Sequence, residues 1–342
     1  MYSYFHKTKL DEDFYNKRIS SELPDRIIDA HAHFNLAKHV ENVSKETIAG
    51  DWALECGMVM PYEDAQSYMS IMFPGKKIDF VTFPWPLRDA DTEGNNEYIA
   101  SLIKEKGTRG LYTLRPEYSV KKIEKDYVEG HFSGFKPYPY MANPTKGAEI
   151  SIFDFMTHEQ FALANQLKAS VVMHLPRIGR LPDPNNISEI RVIINKYPDV
   201  KLVVAHFGRC FNHEYFEEAL EVLRDDVHRF WFDTSAVLNP KVYKLAFTHL
   251  DYKRILHGTD IPIFLWHGKR EWNEKTYTNL CRENFSWNTH KYRDEEENYT
   301  FFIYEQINNT LLAINECFPT NSDEVINCVF RQNAEAVYVL QT

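Results

Sequence analysis

Short apolar, β-branched runs recur along the chain about every 30 residues, and stretches with helical spacing separate several of them. Runs of this kind are typical of parallel strands that helices bury on both faces. The predicted strands span residues 26–30, 78–83, 110–114, 134–137, 170–174, 201–206, 230–233 and 254–257. Eight strands joined by helical crossovers predict an α/β fold, the (β/α)₈ or TIM barrel.

Helical spacing is clearest over residues 97–106, 152–167, 187–197 and 215–225. The stretch 40–77 is longer than one crossover needs, which predicts an extra helical excursion between the first two strands. We expect an N-terminal extension over 1–24, the barrel over 25–265 and a C-terminal helical cap over 266–342. The cap is expected because apolar helical spacing over 303–340 follows a polar, aromatic-rich segment.

Composition excludes several classes of partner. The formal charge of −10 argues against nucleic-acid and anionic-membrane binding, since both need a concentrated basic face. Five widely spaced cysteines without a CxxC pair are typical of reduced thiols. The N-terminus has no apolar core of a secretory signal, and no run of 18 apolar residues occurs. We expect a cytoplasmic protein that acts on a small molecule, and self-association into a homo-oligomer stays open.

The motif IIDAHAHF places His31 and His33 two residues apart, directly after the first predicted strand. On an extended backbone, side chains at i and i+2 point to the same face, so both imidazoles can share a metal ion. One such pair is weak evidence, because a chain with 14 histidines often contains one by chance.

Later strands end on similar side chains. These are His174 in VVMHLP, His206 in VVAHFG, Asp233 in FWFDTS and Asp260 in HGTD. Successive members are 32, 27 and 27 residues apart, which is about one strand-helix unit each. In a closed barrel they would converge with the first histidine pair at the C-terminal rim, where barrel enzymes keep their active sites.

Together with GFKPYP, HGTDIP and the closing NAEAVYVL, these motifs resemble the amidohydrolase superfamily. Within it they are most similar to the amidohydrolase-related (amidohydrolase 2) branch of metal-dependent barrel enzymes, which contains hydrolases, lactonases, decarboxylases and hydratases. The resemblance covers strands one and four to eight and the C-terminus. Strands two and three match only in their general residue pattern. It implies that the metal ligands are His31, His33, His174 and Asp260.

The resemblance also implies catalytic roles for Asp260, as the general base, and for His206, which would polarise the substrate or bind a second metal. Three neutral imidazoles and a carboxylate leave one position for a water whose pKa the metal lowers to about 7. We expect one divalent metal, with zinc as the default and manganese as the alternative. Asp233 is expected to orient a metal ligand without contacting the metal itself. A role as a plain cap at the end of its strand is an equal alternative.

Lys136, in GFKPYP, lies at the expected rim on strand four. The resemblance allows a carboxylated lysine that bridges two metals or a free ammonium that holds a substrate carboxylate. We predict the ammonium and a single metal.

Cationic and aromatic side chains also follow the strands and are candidates for substrate binding. Besides Lys136, the predicted substrate contacts are Arg88, Arg177, Arg209 and Tyr138. Weaker candidates are Arg180, Tyr140, Trp85, Trp266, His257 and His267. The guanidinium groups near the expected mouth of the pocket predict an anionic or polyhydroxylated substrate.

We therefore predict a metal-dependent hydrolase that acts on a small polar carboxylate, lactone or sugar-acid derivative. A non-oxidative decarboxylase or hydratase would use nearly the same ligands and is the first alternative. A catalytically inactive barrel with a binding role is the alternative from another class. A metal-dependent phosphoesterase would need further ligands on strands two and three, and the sequence has none there.

Overall fold

The computed structural model describes residues 1–142, 147–289 and 295–339. Parallel strands pair in sequence order: β1 (Arg26–His33), β2 (Lys77–Phe83), β3 (Arg109–Thr113), β4 (Gly134–Lys136), β5 (Ser170–Met173), β6 (Lys201–Val204), β7 (Trp231–Asp233) and β8 (Ile255–Leu256). The barrel closes where the Ala30 N–H donates to the His257 carbonyl over 2.8 Å and Ala32 pairs with Ile261. The predicted (β/α)₈ barrel is confirmed.

Helices surround the barrel and cover its ends. They are α1 (Lys9–Arg18), α2 (Lys45–Gly50), α3 (Trp52–Cys56), α4 (Tyr62–Met72), α5 (Thr92–Lys106), α6 (Val120–Glu129), α7 (His158–Gln166), α8 (Pro184–Lys196), the single turn α9 (His206–Arg209), α10 (His213–Leu223), α11 (Pro240–His249), α12 (Phe302–Cys317), α13 (Ser322–Asn327) and α14 (Asn333–Val337). One crossover helix or more separates each pair of barrel strands. The extra excursion predicted over 40–77 is present as α2, α3 and α4.

Capping side chains explain where observed helices depart from predicted ones. Helix α5 begins before residue 97 because the Asp91 carboxylate caps its N-terminus by accepting from the Gly94 N–H. The predicted stretch 152–167 is divided into a short turn and α7, because Thr157 and Gln160 form a capping box that starts a new helix. Helices α6 and α11 lie outside the predicted helical stretches.

The segment after the barrel begins with an antiparallel hairpin of β9 (Gly268–Asn273) and β10 (Thr276–Cys281), an element that the sequence did not predict. Helical structure follows from α12 to α14, and the predicted helical end at residue 340 lies outside the described residues. No helix in the described part of the chain is long and apolar enough to cross a membrane.

The C-terminal residues close the N-terminal end of the barrel. Val337 and Tyr338 belong to the same buried cluster as the inward-facing barrel side chains. Arg109, which starts β3, donates from Nε to the Tyr338 carbonyl over 2.8 Å, and Lys201, which starts β6, donates to the Ala336 carbonyl over 3.0 Å. The opposite rim is therefore the one left for a site.

Candidate metal centre

Three side chains from different parts of the sequence meet at the C-terminal rim of the barrel. His31 lies in β1, His206 follows β6 and Asp260 follows β8. One potential ligand atom from each lies within 4.8 Å of the other two, and all three residues are buried. The rim thus brings together two imidazoles and a carboxylate that the sequence singles out.

The chain after β8 runs close against β1, and this places Asp260. A Cβ on Gly258 would lie 2.8 Å from the Cβ of His31, so only glycine allows this approach. The Asp260 N–H donates to the His31 carbonyl over 2.8 Å. Asp29 joins the same segments, because its carboxylate accepts from the backbone N–H groups of His31 and Thr259. Burial raises the pKa of Asp29 to about 7.

A run of left-handed residues, 206–209, turns His206 toward the rim. Gly208 has a φ of 69°, and a Cβ there would meet Leu181 at 2.5 Å. His206 Nδ1 lies 2.8 Å from the Ser235 hydroxyl and 3.1 Å from the Ser235 carbonyl. The Ser235 hydroxyl itself donates to Asp233, so His206 Nδ1 is the donor to Ser235. Its Nε2 therefore keeps the lone pair, as a metal ligand requires.

Asp233 holds His31 through its imidazole and His206 through its backbone N–H. Its Oδ2 lies 2.9 Å from His31 Nδ1, and its Oδ1 accepts from the His206 backbone N–H over 2.9 Å. Burial would raise the pKa of Asp233, but His31, His206 and the hydrogen bond from Ser235 together outweigh burial and lower it. An ionised Asp233 holds the proton of His31 on Nδ1, which leaves Nε2 free to bind a cation.

His33 and His174 lie at the same rim but outside the group of three. His33 Nε2 lies 3.2 Å from Asp260 Oδ1, and its Nδ1 lies 3.3 Å from the Pro84 carbonyl. The ring centroid of His174 lies 5.4 Å from that of His206. His174 Nδ1 is buried and has no hydrogen-bond partner among the described residues.

The protonation states of these groups suit a divalent cation. Burial lowers the pKa of His31, His33 and His174, and lowers that of His206 to about 4, so the imidazoles are neutral at neutral pH. Burial would raise the pKa of Asp260, but the positive charge that the imidazoles carry when protonated and a hydrogen bond with His33 together outweigh burial and lower it. Neutral imidazoles beside an ionised carboxylate are the donors that zinc and manganese accept.

Two adjoining cavities open at the rim. The inner cavity, of about 190 Å³, is lined by His31, His33, His174, His206 and Asp260. The outer cavity, of about 540 Å³, shares several lining residues with it, including Asp51, Leu87, Tyr138, Tyr140, His174 and Arg209. A substrate can therefore extend from the candidate metal centre into a wider space.

The predicted substrate residues take different places around these cavities. Tyr138 and Arg209 line both cavities, whereas Arg88 and Arg177 line only the outer one. The Arg177 guanidinium is already paired with Glu189 over 2.8 Å. Arg88 donates to the Met141 carbonyl over 2.5 Å. These two arginines are therefore engaged by the protein itself.

Lys136 lines neither cavity. Its ammonium is 5.1 Å from the ring centroid of Phe83 and 5.4 Å from that of Tyr138. The Nζ atom is buried and has no hydrogen-bond partner among the described residues. Burial lowers the pKa of Lys136 to about 8, and the carboxylates of Asp233 and Asp260 oppose this shift.

Among the weaker candidates, Trp85 and Tyr140 line the inner cavity. Trp266, His257 and His267 line neither cavity and are buried elsewhere. His257 packs on Phe330 with ring centroids 4.6 Å apart.

Several residues that line the inner cavity were not predicted from the sequence, and those with polar or aromatic side chains include Asp51, Phe211, Arg270 and Tyr277. Arg270 and Tyr277 lie on the hairpin, which has no recognisable strand pattern. In the structure Arg270 is buried between the partly exposed Lys269 and the exposed Glu271, but no pattern in the sequence indicates this.

A family model described as amidohydrolase (Amidohydro_2) matches residues 28–340. No curated protein matches the chain significantly. Solved structures with a similar fold include a probable 2-pyrone-4,6-dicarboxylic acid hydrolase from Acinetobacter baumannii with citric acid bound (13% identity, 91% of this chain and 98% of that chain, TM-score 0.54).

Two further solved structures are similar over most of their length. One is a 4-oxalomesaconate hydratase from Rhodopseudomonas palustris (16% identity, 91% of this chain and 95% of that chain, TM-score 0.54). The other is a dihydroxybenzoic acid decarboxylase from Polaromonas sp. JS666 with bound manganese and the inhibitor 2-nitroresorcinol (14% identity, 92% and 97%, TM-score 0.56). At these identities the likeness shows a common fold.

Proposed function

Because the chain belongs to the amidohydrolase family, we propose that it hydrolyses a small polar carboxylate, lactone or sugar-acid derivative at the rim of its barrel. The observation that carries the proposal is the approach of His31, His206 and Asp260 within 4.8 Å beside the inner cavity. The family is metal dependent. We include one divalent ion, with zinc as the default and manganese as the alternative.

The ion would be held by His31, His33, His174 and Asp260, with His206 close enough to join them. A bound divalent ion lowers the pKa of a water molecule and polarises a carbonyl oxygen. His206 fits a ligand role better than a hydrogen-bond donor role, because its Nδ1 proton is directed to Ser235. Of the two roles that the resemblance implies for His206, substrate polarisation and metal binding, this favours metal binding.

Asp260 is the proposed general base. Its carboxylate is ionised and buried beside the inner cavity, so it can accept the proton of the attacking water. It then returns that proton to the leaving oxygen. His33 Nε2 lies 3.2 Å from Asp260 Oδ1 and would turn its lone pair to the ion instead of donating to this carboxylate.

Arg209 and Tyr138 are the proposed contacts to the polar part of the substrate, since both line the two cavities. Lys136 would act as a positive charge near the site, since its ammonium lies close to two aromatic rings and the carboxylates of Asp233 and Asp260 favour its charged form. A carboxylated Lys136 with two metals is the competing state. It would be recognised by two metal ions per chain.

The proposal is tested by a pH-indicator screen of the metal-loaded protein with small lactones and esters of hydroxy acids. Acid release should fall by about a hundredfold or more in Asp260→Asn. The control Asp225→Asn, an exposed aspartate far along the sequence from every predicted ligand, should match the wild type. Full hydrolysis by Asp260→Asn would contradict the role of this residue.

The decarboxylase alternative is tested on the same preparation with aromatic carboxylates. Release of CO₂ in place of hydrolysis would replace the proposed reaction with decarboxylation, and water addition to an unsaturated acid would replace it with hydration. Metal binding without turnover of any of these classes would favour the inactive barrel.

A further inference from the structure

A cluster of arginines surrounds two aromatic rings at the inner cavity. The Arg270 guanidinium carbon lies 4.2 Å from the ring centroid of Tyr277 and 5.0 Å from that of Phe211. Arg180 lies over the same rings at 5.8 Å and 5.4 Å. Arg209, Arg270 and both rings line the inner cavity. Two positive charges therefore line the inner cavity, and a third lies against the same aromatic rings.

None of the three arginines has a carboxylate partner in the described part of the chain. Arg270 is 3% exposed and donates from Nε to Asn279 and from Nη1 to the Ala236 carbonyl. Arg209 is partly exposed and, among the described residues, donates only from Nη1, to the carbonyls of Leu175 and Arg177. Buried charges are normally paired with an opposite charge, because desolvation without a partner is costly.

Arg177 provides the contrast within the same region. It forms a close ion pair with Glu189 and a hydrogen bond with Asn186 over 2.6 Å. By comparison, Nη2 of Arg270 and both Nε and Nη2 of Arg209 make no hydrogen bond among the described residues. These are unused donors on side chains that line a cavity.

The hairpin is built so that Arg270 is held at this wall. Trp272 on β9 donates from its indole nitrogen to the Phe211 carbonyl over 2.7 Å, which ties the hairpin to the segment after β6. The two hydrogen bonds of Arg270 and the aromatic rings then fix the plane of its guanidinium. A fixed planar fork suits an oxyanion, either a carboxylate or a phosphate.

We propose that Arg209 and Arg270 form a subsite for a second oxyanion group, so that the substrate is a dianion that spans the inner cavity. One end of the substrate would react at the candidate metal centre, an assignment that rests on the proposed function. The other end would bind the two guanidinium groups, with Arg180 adding positive charge from behind the aromatic rings. The hairpin therefore determines which substrates are accepted.

The test is calorimetric binding to the full-length, metal-loaded protein. The probes are malonate, succinate, glutarate and adipate, each compared with its own monoamide, which has one charge fewer at nearly the same size. At least one dicarboxylate should bind tenfold or more tightly than its monoamide, because a hydrogen-bonded charge pair is worth at least that factor. Arg270→Gln should remove this preference, and Arg270→Lys should restore part of it.

The matched control is Arg191→Gln, which removes a half-exposed arginine paired with Asp226 and should keep the full preference. Arg209→Gln tests the subsite independently, including the case in which Arg270→Gln does not fold. Equal binding of every dicarboxylate and its monoamide, with no binding of inorganic phosphate, would overturn the subsite. A folded Arg270→Gln protein that retains the preference would overturn it as well.

Two further arms separate this inference from the proposed function. The first arm applies when no dicarboxylate binds the wild type but inorganic phosphate does. Loss of phosphate binding in Arg270→Gln would then support the subsite, with phosphate as its oxyanion. In His31→Ala, loss of the metal should leave the Arg270-dependent preference for the dianion measurable. Hydrolysis of uncharged lactones with no preference for dianions would support the proposed function and overturn the subsite.

Discussion

The carboxylate of Asp233 holds the His31 imidazole and the His206 backbone without lining the inner cavity. One oxygen faces His31 Nδ1 and the other accepts the His206 backbone N–H. Such carboxylates fix the tautomer and increase the basicity of a ligating histidine. The precision of the candidate metal centre therefore depends on a residue that does not line it.

Asp233→Asn should lower the affinity for zinc by about 10- to 100-fold, because a neutral amide no longer stabilises the required His31 tautomer. Competition with a chromogenic chelator measures the affinity. Asp225→Asn serves as the control. An affinity within twofold of the wild type would show that Asp233 has no orienting role.

At this scale the sequence predicted the residues whose position follows from the strand ends. His174 follows β5 directly and His206 follows β6 closely, so their convergence required only the barrel. The ion pair of Arg177 with Glu189 could not be predicted, because it depends on where α8 places the Glu189 side chain. Arg270 could not be predicted because its element was not recognised.

Among the elements, α1, the hairpin and α12 are joined by a buried network around His267. His267 Nε2 lies 3.0 Å from Asp11 Oδ2, and its Nδ1 contacts Glu283. Asp11 also accepts from the Thr300 hydroxyl over 2.7 Å, next to the start of α12. Both ring nitrogens of His267 face carboxylates, so the protonated form is the one that fits.

His267→Gln should lower the free energy of unfolding by about 3 kcal/mol at pH 6, since it leaves two buried carboxylates without their cation. Urea denaturation measures the change. His228→Gln, at an exposed histidine, is the control and should be neutral. A change below 0.5 kcal/mol, within the usual range for surface substitutions, would contradict the assigned network.

The difference in free energy of unfolding between the wild type and His267→Gln should depend on pH. Burial would lower the pKa of His267, but its hydrogen bonds to Asp11 and Glu283 and the negative charges of these carboxylates together outweigh burial and raise the pKa. The stabilisation is thus complete below the ordinary histidine pKa of about 6.5 and is lost as pH rises through the raised pKa. The difference between wild type and His267→Gln should therefore shrink toward pH 9, and a constant difference would contradict the ion pairs.

The hairpin is an element that could not be predicted from the sequence, unlike the barrel strands. Its strands are rich in polar residues because most of their side chains are partly or fully exposed, so they lack the apolar runs that identify the barrel strands. The barrel strands are buried on both faces and were predictable for that reason. The start of α5 and that of α7 could not be predicted, because they depend on the capping hydrogen bonds of Asp91 and Thr157. Apolar periodicity does not reveal these local hydrogen bonds.

Across the whole molecule, the two ends of the barrel have separate tasks. The C-terminal rim carries the candidate metal centre, and the other end is closed by residues that include Val337 and Tyr338. Val337→Ala should lower the free energy of unfolding by about 2 kcal/mol because it opens a cavity in a closed core. Val339→Ala, at a valine that is 57% exposed, should have little effect. Equal effects of the two substitutions in urea denaturation would contradict the closure.

The central claim is that the chain holds a divalent metal at the C-terminal rim of its barrel. Elemental analysis of purified protein tests it most directly, with His31→Ala and the exposed-site control His228→Ala prepared in parallel. We predict about one zinc or manganese ion per chain in the wild type and in His228→Ala, and loss of that ion in His31→Ala. Absence of metal from the wild type after incubation with zinc and manganese, or unchanged metal in His31→Ala, would contradict the claim.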